Sequence, residues 1–193
     1  MLQAGLEAFS ELGYDGASTR EIASRAGVNQ GLVNYYFGCK ETLWREAVDR
    51  AFSELRAGTD ALIAAAPDTS EREQAAQLIR DFVAFAARRP EFSRLMTDEG
   101  KRNGPRMQWI VDRHVRPLYD AVGGFMSGAL GAGTLPGGLG PALFHYILVG
   151  AVTHLYHQAP EFHRLTGRDA TAQDVIDAHT EALITLFVGP PQG

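Results

Sequence analysis

An all-α fold is predicted for this chain of 193 residues, and three observations predict it. Apolar residues recur at three and four along most of its length, and no stretch shows the alternation of a half-buried strand. Residues that cap helices stand ahead of several of these runs, and glycine or proline stands behind them. The runs are short over roughly the first forty residues and lengthen afterwards, so a compact set of short helices feeds a larger helical body.

Leu2, Leu6, Phe9 and Leu12 form the apolar face of a first helix that Gly13 stops, and Tyr14-Asp15-Gly16 reads as a turn. Ser18-Thr19-Arg20-Glu21 offers the next start: Ser18 or Thr19 caps the free amides and Glu21 reaches back. Ile22, Ala23 and Ala26 give that helix its apolar side, and Gly27 ends it. A third helix is predicted over about Gln30 to Tyr36, with Val33 and Phe37 inward. A fourth begins near Lys40 and carries Leu43, Trp44, Ala47, Val48, Ala51, Phe52 and Leu55 on one side.

Beyond it, Ser70-Glu71-Arg72-Glu73 repeats the capping pattern ahead of Ala75, Leu78, Ile79, Phe82, Val83 and Ala86, and Arg88-Arg89-Pro90 closes that element. Glu91 to Glu99 makes a short helix ended by Gly100. A long one runs from Met107 to Met126, with a kink expected at Pro117. Gly131 to Gly140, GAGTLPGGLG, lacks the Lys-Ser/Thr of a phosphate-binding loop and follows no strand, so it reads as an interhelical linker. Two final helices, about Pro141 to Gln158 and Thr171 to Val188, are apolar over a wide arc and must be buried on more than one side. Either they join a bundle between subunits or they fill one large core. For the first case the interface residues are Ile147, Leu148, Ala151 and Leu155, with Ile176, His179, Leu183 and Leu186.

Composition narrows the function. The single cysteine, Cys39, cannot form an internal disulfide, which makes an intracellular, cytoplasmic protein the expectation. No membrane span and no secretory signal is visible. His145, His154 and His157 invite a metal reading, but no carboxylate or cysteine stands at ligand spacing, so no metal and no cofactor is expected. No nucleophile sits in a pattern that suggests an enzyme. The formal net charge of −5 argues mildly against a nucleic-acid partner, and the first fifty residues hold five basic residues against seven acidic ones. Phe82, Phe85, Met96, Trp109, His114, Tyr119, Phe125 and Tyr146 are the candidates to line an apolar ligand pocket.

Against the charge stands a spacing. Ala23, Gly27 and Val33 are a small residue, a glycine and an apolar residue at the intervals of a helix-turn-helix. Ala23 lets two helices approach, Gly27 permits the turn, and Val33 packs the second helix on the first. The longer stretch FSELGYDGASTREIASRAGVNQGLVNYYFGCKETLWREAV, residues 9 to 48, closely resembles the N-terminal domain of the tetracycline-repressor (TetR) family of transcriptional regulators. The Gly13-Tyr14 turn, Thr19-Arg20-Glu21-Ile22-Ala23, Ala26-Gly27-Val28 and Tyr36-Phe37-Gly38-x-Lys40-Glu41 carry the match, in order.

The resemblance implies a helix-turn-helix domain over residues 1–50 and a larger helical domain over 51–193 that binds a small-molecule effector and dimerises. The partners it implies are double-stranded operator DNA, an unidentified effector and a second copy of the chain. The third helix would enter the major groove. Gln30 and Asn34, which both donate and accept, suit adenine edges, with Asn29 and Leu32 beside them and Leu32 suited to a thymine methyl. Arg20 matches a family position that reaches a base. Thr19, Tyr36 and Lys40 match positions that hold phosphates, and Tyr35 can serve either role. Family members usually carry several residues, often basic, before the first helix; here Met1 already falls inside the apolar pattern. Together with the acidic balance, this keeps a second reading open, a dimeric small-molecule binder that reads no DNA.

Overall fold

The computed structural model describes residues 1–63, 70–131 and 140–190. They are helical in the order α1 (Leu2–Gly16), α2 (Thr19–Arg25), α3 (Gln30–Phe37), α4 (Lys40–Ile63), α5 (Glu71–Arg88), α6 (Pro90–Gly100) and α7 (Pro105–Ile110). A π-helix (Val111–Val115) then leads into α8 (Arg116–Gly131), α9 (Pro141–His157), α10 (Ala159–Thr166) and α11 (Gln173–Phe187). No strand occurs among the described residues. The interior of the Gly131–Gly140 stretch lies outside them.

The chain gathers into two compact units, Met1–Glu54 with Glu91–His114, and Leu55–Pro90 with Val115–Gly193. In the first, Leu6 and Phe9 of α1, Ile22 and Ala23 of α2, Val33 of α3, and Leu43, Trp44, Val48 and Phe52 of α4 are buried, as are Phe92, Leu95 and Ile110. Several aromatic contacts fix this core: Phe52 meets Phe92 edge-on at 4.9 Å, and Trp44 lies 5.6 Å from Trp109.

The second unit is centred on α5, α9 and α11. Ile79, Val83 and Ala86 pack with Phe144, Leu148, Val152 and Tyr156 of α9 and with Leu183 and Phe187 of α11. Here the two readings of the final helices divide by residue. Leu148 and Leu183 belong to the chain's own core, which corrects their assignment to a subunit interface: the i, i+4 row that contains Leu148 turns toward α5. The adjoining row stays uncovered, with Leu143, Tyr146 and Ile147 exposed on α9 and Leu186 on α11. Ala151, Leu155, Ile176 and His179 are half-buried at the border between the rows.

Three further expectations need correction. Tyr14–Gly16 is a last helical turn after a kink, made possible by Gly13 at φ 70 and ψ 167. The predicted Met107–Met126 helix divides into α7, the π-helix and α8. The widened turn ends just before Pro117, where the missing N–H and the ring disfavour a regular α-turn. The helix α10 was not anticipated, because none of its residues is buried and its apolar pattern is short; Gly167 at φ 71 terminates it. Two carboxylates from the polar side of the pattern, Glu91 and Glu99, prove buried. Glu91 accepts from Gln3 at 3.0 Å and Glu99 from Arg106 at 2.9 Å.

Candidate nucleic-acid interface

The helix-turn-helix is built locally. Ser18 Oγ accepts from the Glu21 amide at 3.1 Å and starts α2. Glu21 does not reach back; its carboxylate takes Arg25 Nε at 3.0 Å. At the far end Gly27 adopts φ 66, which L side chains rarely do, and Val28 N–H donates to the Ala23 carbonyl at 3.0 Å. Asn29 Oδ1 accepts from the Leu32 amide at 2.9 Å and starts α3.

Buried Val33 and Phe37 then pin α3 on one side. Its other side faces solvent: Gln30, Asn34, Tyr35 and Tyr36 are exposed, with Tyr35 at 82% and Tyr36 at 61%, and Leu32 is partly so at 38%. The two tyrosine rings meet edge-on at 5.3 Å. This outward face carries no charged side chain. It presents amides, phenols and one aliphatic group, which suit base edges and thymine methyls better than diffuse attraction to a polyanion.

The remaining predicted contacts sit around this face with different freedom. Gln30 Nε2 donates to Thr19 Oγ1 at 3.2 Å, so the two predicted contact residues of neighbouring helices are already linked. Arg20 is exposed and makes no ion pair or side-chain hydrogen bond among the described residues. Asn29 spends its oxygen on the cap and keeps its amide N–H groups. Lys40 is turned inward: Nζ donates to the carbonyls of Tyr14 at 2.9 Å and Ala17 at 3.1 Å and lies 4.5 Å from the centre of the Tyr14 ring. It therefore ties α4 to the end of α1 and has one N–H left for another acceptor. Cys39, exposed beside it, has its thiol drawn below the ordinary range by hydrogen bonding from Thr42.

The predicted pocket residues do not form one described cluster. Trp109 and His114 belong to the packing of the first unit: the His114 ring stacks on Phe52 at 4.4 Å and meets Trp109 at 5.4 Å. His114 Nε2 lies 2.7 Å from Asp49 Oδ1, and the same carboxylate takes Arg113 Nε at 2.7 Å. Met96 is half-buried in that unit. In the second unit Phe85 is buried, Phe82 is half-buried against the core, and Tyr119 meets His145 edge-on at 5.2 Å. Tyr146 is 75% exposed, so it lines no closed pocket within this unit. The Phe125 side chain lies outside the described residues.

Periodicity alone gave no sign of the polar bridge inside the second unit. Tyr156, fully buried, donates its hydroxyl to His179 Nδ1 at 3.2 Å, and His179 Nε2 donates to the Ala151 carbonyl at 3.1 Å. Burial pushes Tyr156 up to about 12 and lowers His179, against the opposing effect of the Ala151 carbonyl.

With this geometry in view, residues 1–47 match the model of a family described as bacterial regulatory proteins, tetR family. The chain is 24% identical over 200 residues to the HTH-type transcriptional repressor NicS of Pseudomonas putida, covering 97% of this chain and 86% of that protein. It superposes on the ketosteroid transcriptional regulator KstR2 of Mycobacterium tuberculosis with a TM-score of 0.75 at 18% identity, covering 97% of this chain and 92% of the other. It is also similar to AibR, solved in complex with isovaleryl coenzyme A and operator DNA, with a TM-score of 0.74 at 15% identity and 98% of each chain covered.

Proposed function

We propose a specific role on the premise that this chain is a TetR-family transcriptional regulator, not an enzyme: it is a ligand-responsive repressor that binds a palindromic operator as a homodimer. The observation that carries the DNA reading is the outward face of α3. Buried Val33 and Phe37 leave Gln30, Asn34, Tyr35 and Tyr36 exposed together on a rigid helix. Exposing two adjacent tyrosines gains nothing for a monomer in water, whereas their rings and hydroxyls suit a base edge or a phosphate.

In this reading Gln30 and Asn34 read bases, Leu32 meets a thymine methyl, and Arg20, Thr19, Asn29, Tyr35, Tyr36 and Lys40 supply the surrounding contacts. The exposed row of Leu143, Tyr146 and Ile147 on α9 and Leu186 on α11 supports a twofold partner there. A dimer must hold its recognition helices about 34–36 Å apart to enter successive major grooves on one side of DNA. An effector that weakens operator binding a hundredfold needs a coupling of only about 2.7 kcal/mol, and operator then weakens effector binding by the same factor. No helix among the described residues is long and apolar enough to cross a membrane.

Fluorescence anisotropy on the chain's own upstream DNA, with Gln30→Ala plus Asn34→Ala as the comparison, tests the role. Specific binding lost in the double variant supports it. Equal binding by both proteins counts against it.

A further inference from the structure

The helix-turn-helix region and the start of α4 carry five cations, and three of them are held by carboxylates of the same chain. Among the described residues of the first fifty-four, the basic side chains are Arg20, Arg25, Lys40, Arg45 and Arg50. Arg25 is gripped by Glu11 at 2.7 Å and Glu21 at 3.0 Å. Arg45 meets Glu41 at 2.5 Å, and Arg50 meets Glu54 at 3.2 Å. Lys40 donates to two carbonyls, which leaves its charge uncancelled, and Arg20 has no partner among the described residues. Arg20 also stands in the first turn of α2, where the partial positive charge of the helix end opposes it. Nothing in the free protein explains a cation there.

These surface pairs add little to stability, because exposed ion pairs are screened by water and salt. Their consequence is electrostatic: each paired arginine has its charge offset by a neighbouring carboxylate. We propose that Glu41, Glu11 and Glu21 restrain the DNA affinity of this regulator. Of the five basic residues only Arg20 and Lys40 then act on phosphates, and discrimination falls to the uncharged side chains of α3. This rests on the DNA-binding reading above and refines it.

The salt dependence of binding separates the proposal from the ordinary case. Two effective cations per protomer give a dimer a slope of log affinity against log salt near −3.6, whereas all five would give about −9. From 50 to 200 mM salt the first protein loses about 150-fold in affinity and the second more than about 10⁵-fold. The experiment measures binding of the full chain to a duplex enriched from genomic DNA and to a random duplex across that range, for four proteins. These are the native chain, Arg20→Ala, Glu41→Gln, and Glu11→Gln with Glu21→Gln as a second route to freeing an arginine. Circular dichroism checks that each is folded.

The expected native slope is shallower than about −5, becoming shallower by about 1.8 in Arg20→Ala and steeper by about 1.8 in Glu41→Gln. Glu41→Gln is also expected to bind the random duplex more tightly, on the order of tenfold at 0.1 M salt. A native slope steeper than about −5, or both carboxylate variants matching the native protein on random DNA, overturns the proposal and leaves the regulator reading standing. Failure of every protein to enrich any duplex overturns the DNA-binding reading itself, and the proposal with it.

Discussion

Helices α3 and α9 each expose a large aromatic side chain to solvent, Tyr35 at 82% and Tyr146 at 75%. Their neighbours differ. Around Tyr35 stand Gln30, Asn34 and Tyr36, groups that donate and accept; around Tyr146 stand Leu143 and Ile147, which do neither. Exposure alone therefore identifies no partner. The company of each aromatic residue separates the two: hydrogen-bonding groups at helical spacing suit base edges, and aliphatic groups suit a second apolar surface.

The steepest loss is expected on α3. If Gln30 and Asn34 read bases in both copies of a dimer, as proposed, Gln30→Ala with Asn34→Ala should lower operator affinity by about 4 kcal/mol or more, roughly a thousandfold. Binding to random DNA should barely change, and anisotropy titrations on both duplexes check it. On α11 the sharper contrast lies between two leucines three residues apart. Leu183→Ala opens the core and should cost about 3 kcal/mol of unfolding free energy, measured by urea denaturation. Leu186→Ala should shift unfolding by about 0.5 kcal/mol or less when measured on the monomer, and should weaken dimerisation in sedimentation experiments. Ser18→Ala removes the cap of α2 and should lower stability by about 1 kcal/mol, seen in thermal unfolding.

The smallest effect concerns pH. Burial depresses both His145 and His179, so the unfolded chain binds protons that the folded chain resists. Stability is complete above the unfolded value of about 6.5 and should decline as the pH falls from there through the depressed folded values. The unfolding midpoint measured from pH 8 to 5 checks the sign, and His179→Gln should flatten the decline.

The same contrast explains what the sequence made legible. The starts of α1 to α5 were readable within a few residues, helped by caps such as Ser18 and Ser70 and by a stop such as Gly27, whereas α4 runs on to Ile63, past the apolar row that ends at Leu55. The outward set on α3 was readable because amides and tyrosines interrupt an apolar pattern visibly. The final helices were harder. An aliphatic residue bound for a partner and one bound for the core look alike, so Leu148 and Leu183 were grouped with Ile147 and Leu186, and only packing against α5 separates them. The inward half of Lys40's role was hidden, because its bonds to the Tyr14 and Ala17 carbonyls join it to the end of a helix 23 and more residues earlier. Trp109 and His114 were grouped with pocket residues because aromatic content does not reveal which unit a helix joins; their contacts with Trp44, Phe52 and Asp49 do.

Selection of genomic duplexes by the purified protein, followed by footprinting of the enriched site, decides whether α3 reads DNA from a twofold dimer. The expected result is one inverted repeat whose half-sites lie one helical turn apart, about 10 base pairs between centres, with protection lost in the Gln30→Ala, Asn34→Ala variant. An enriched site without inverted symmetry, or one that the variant protects equally well, would contradict it.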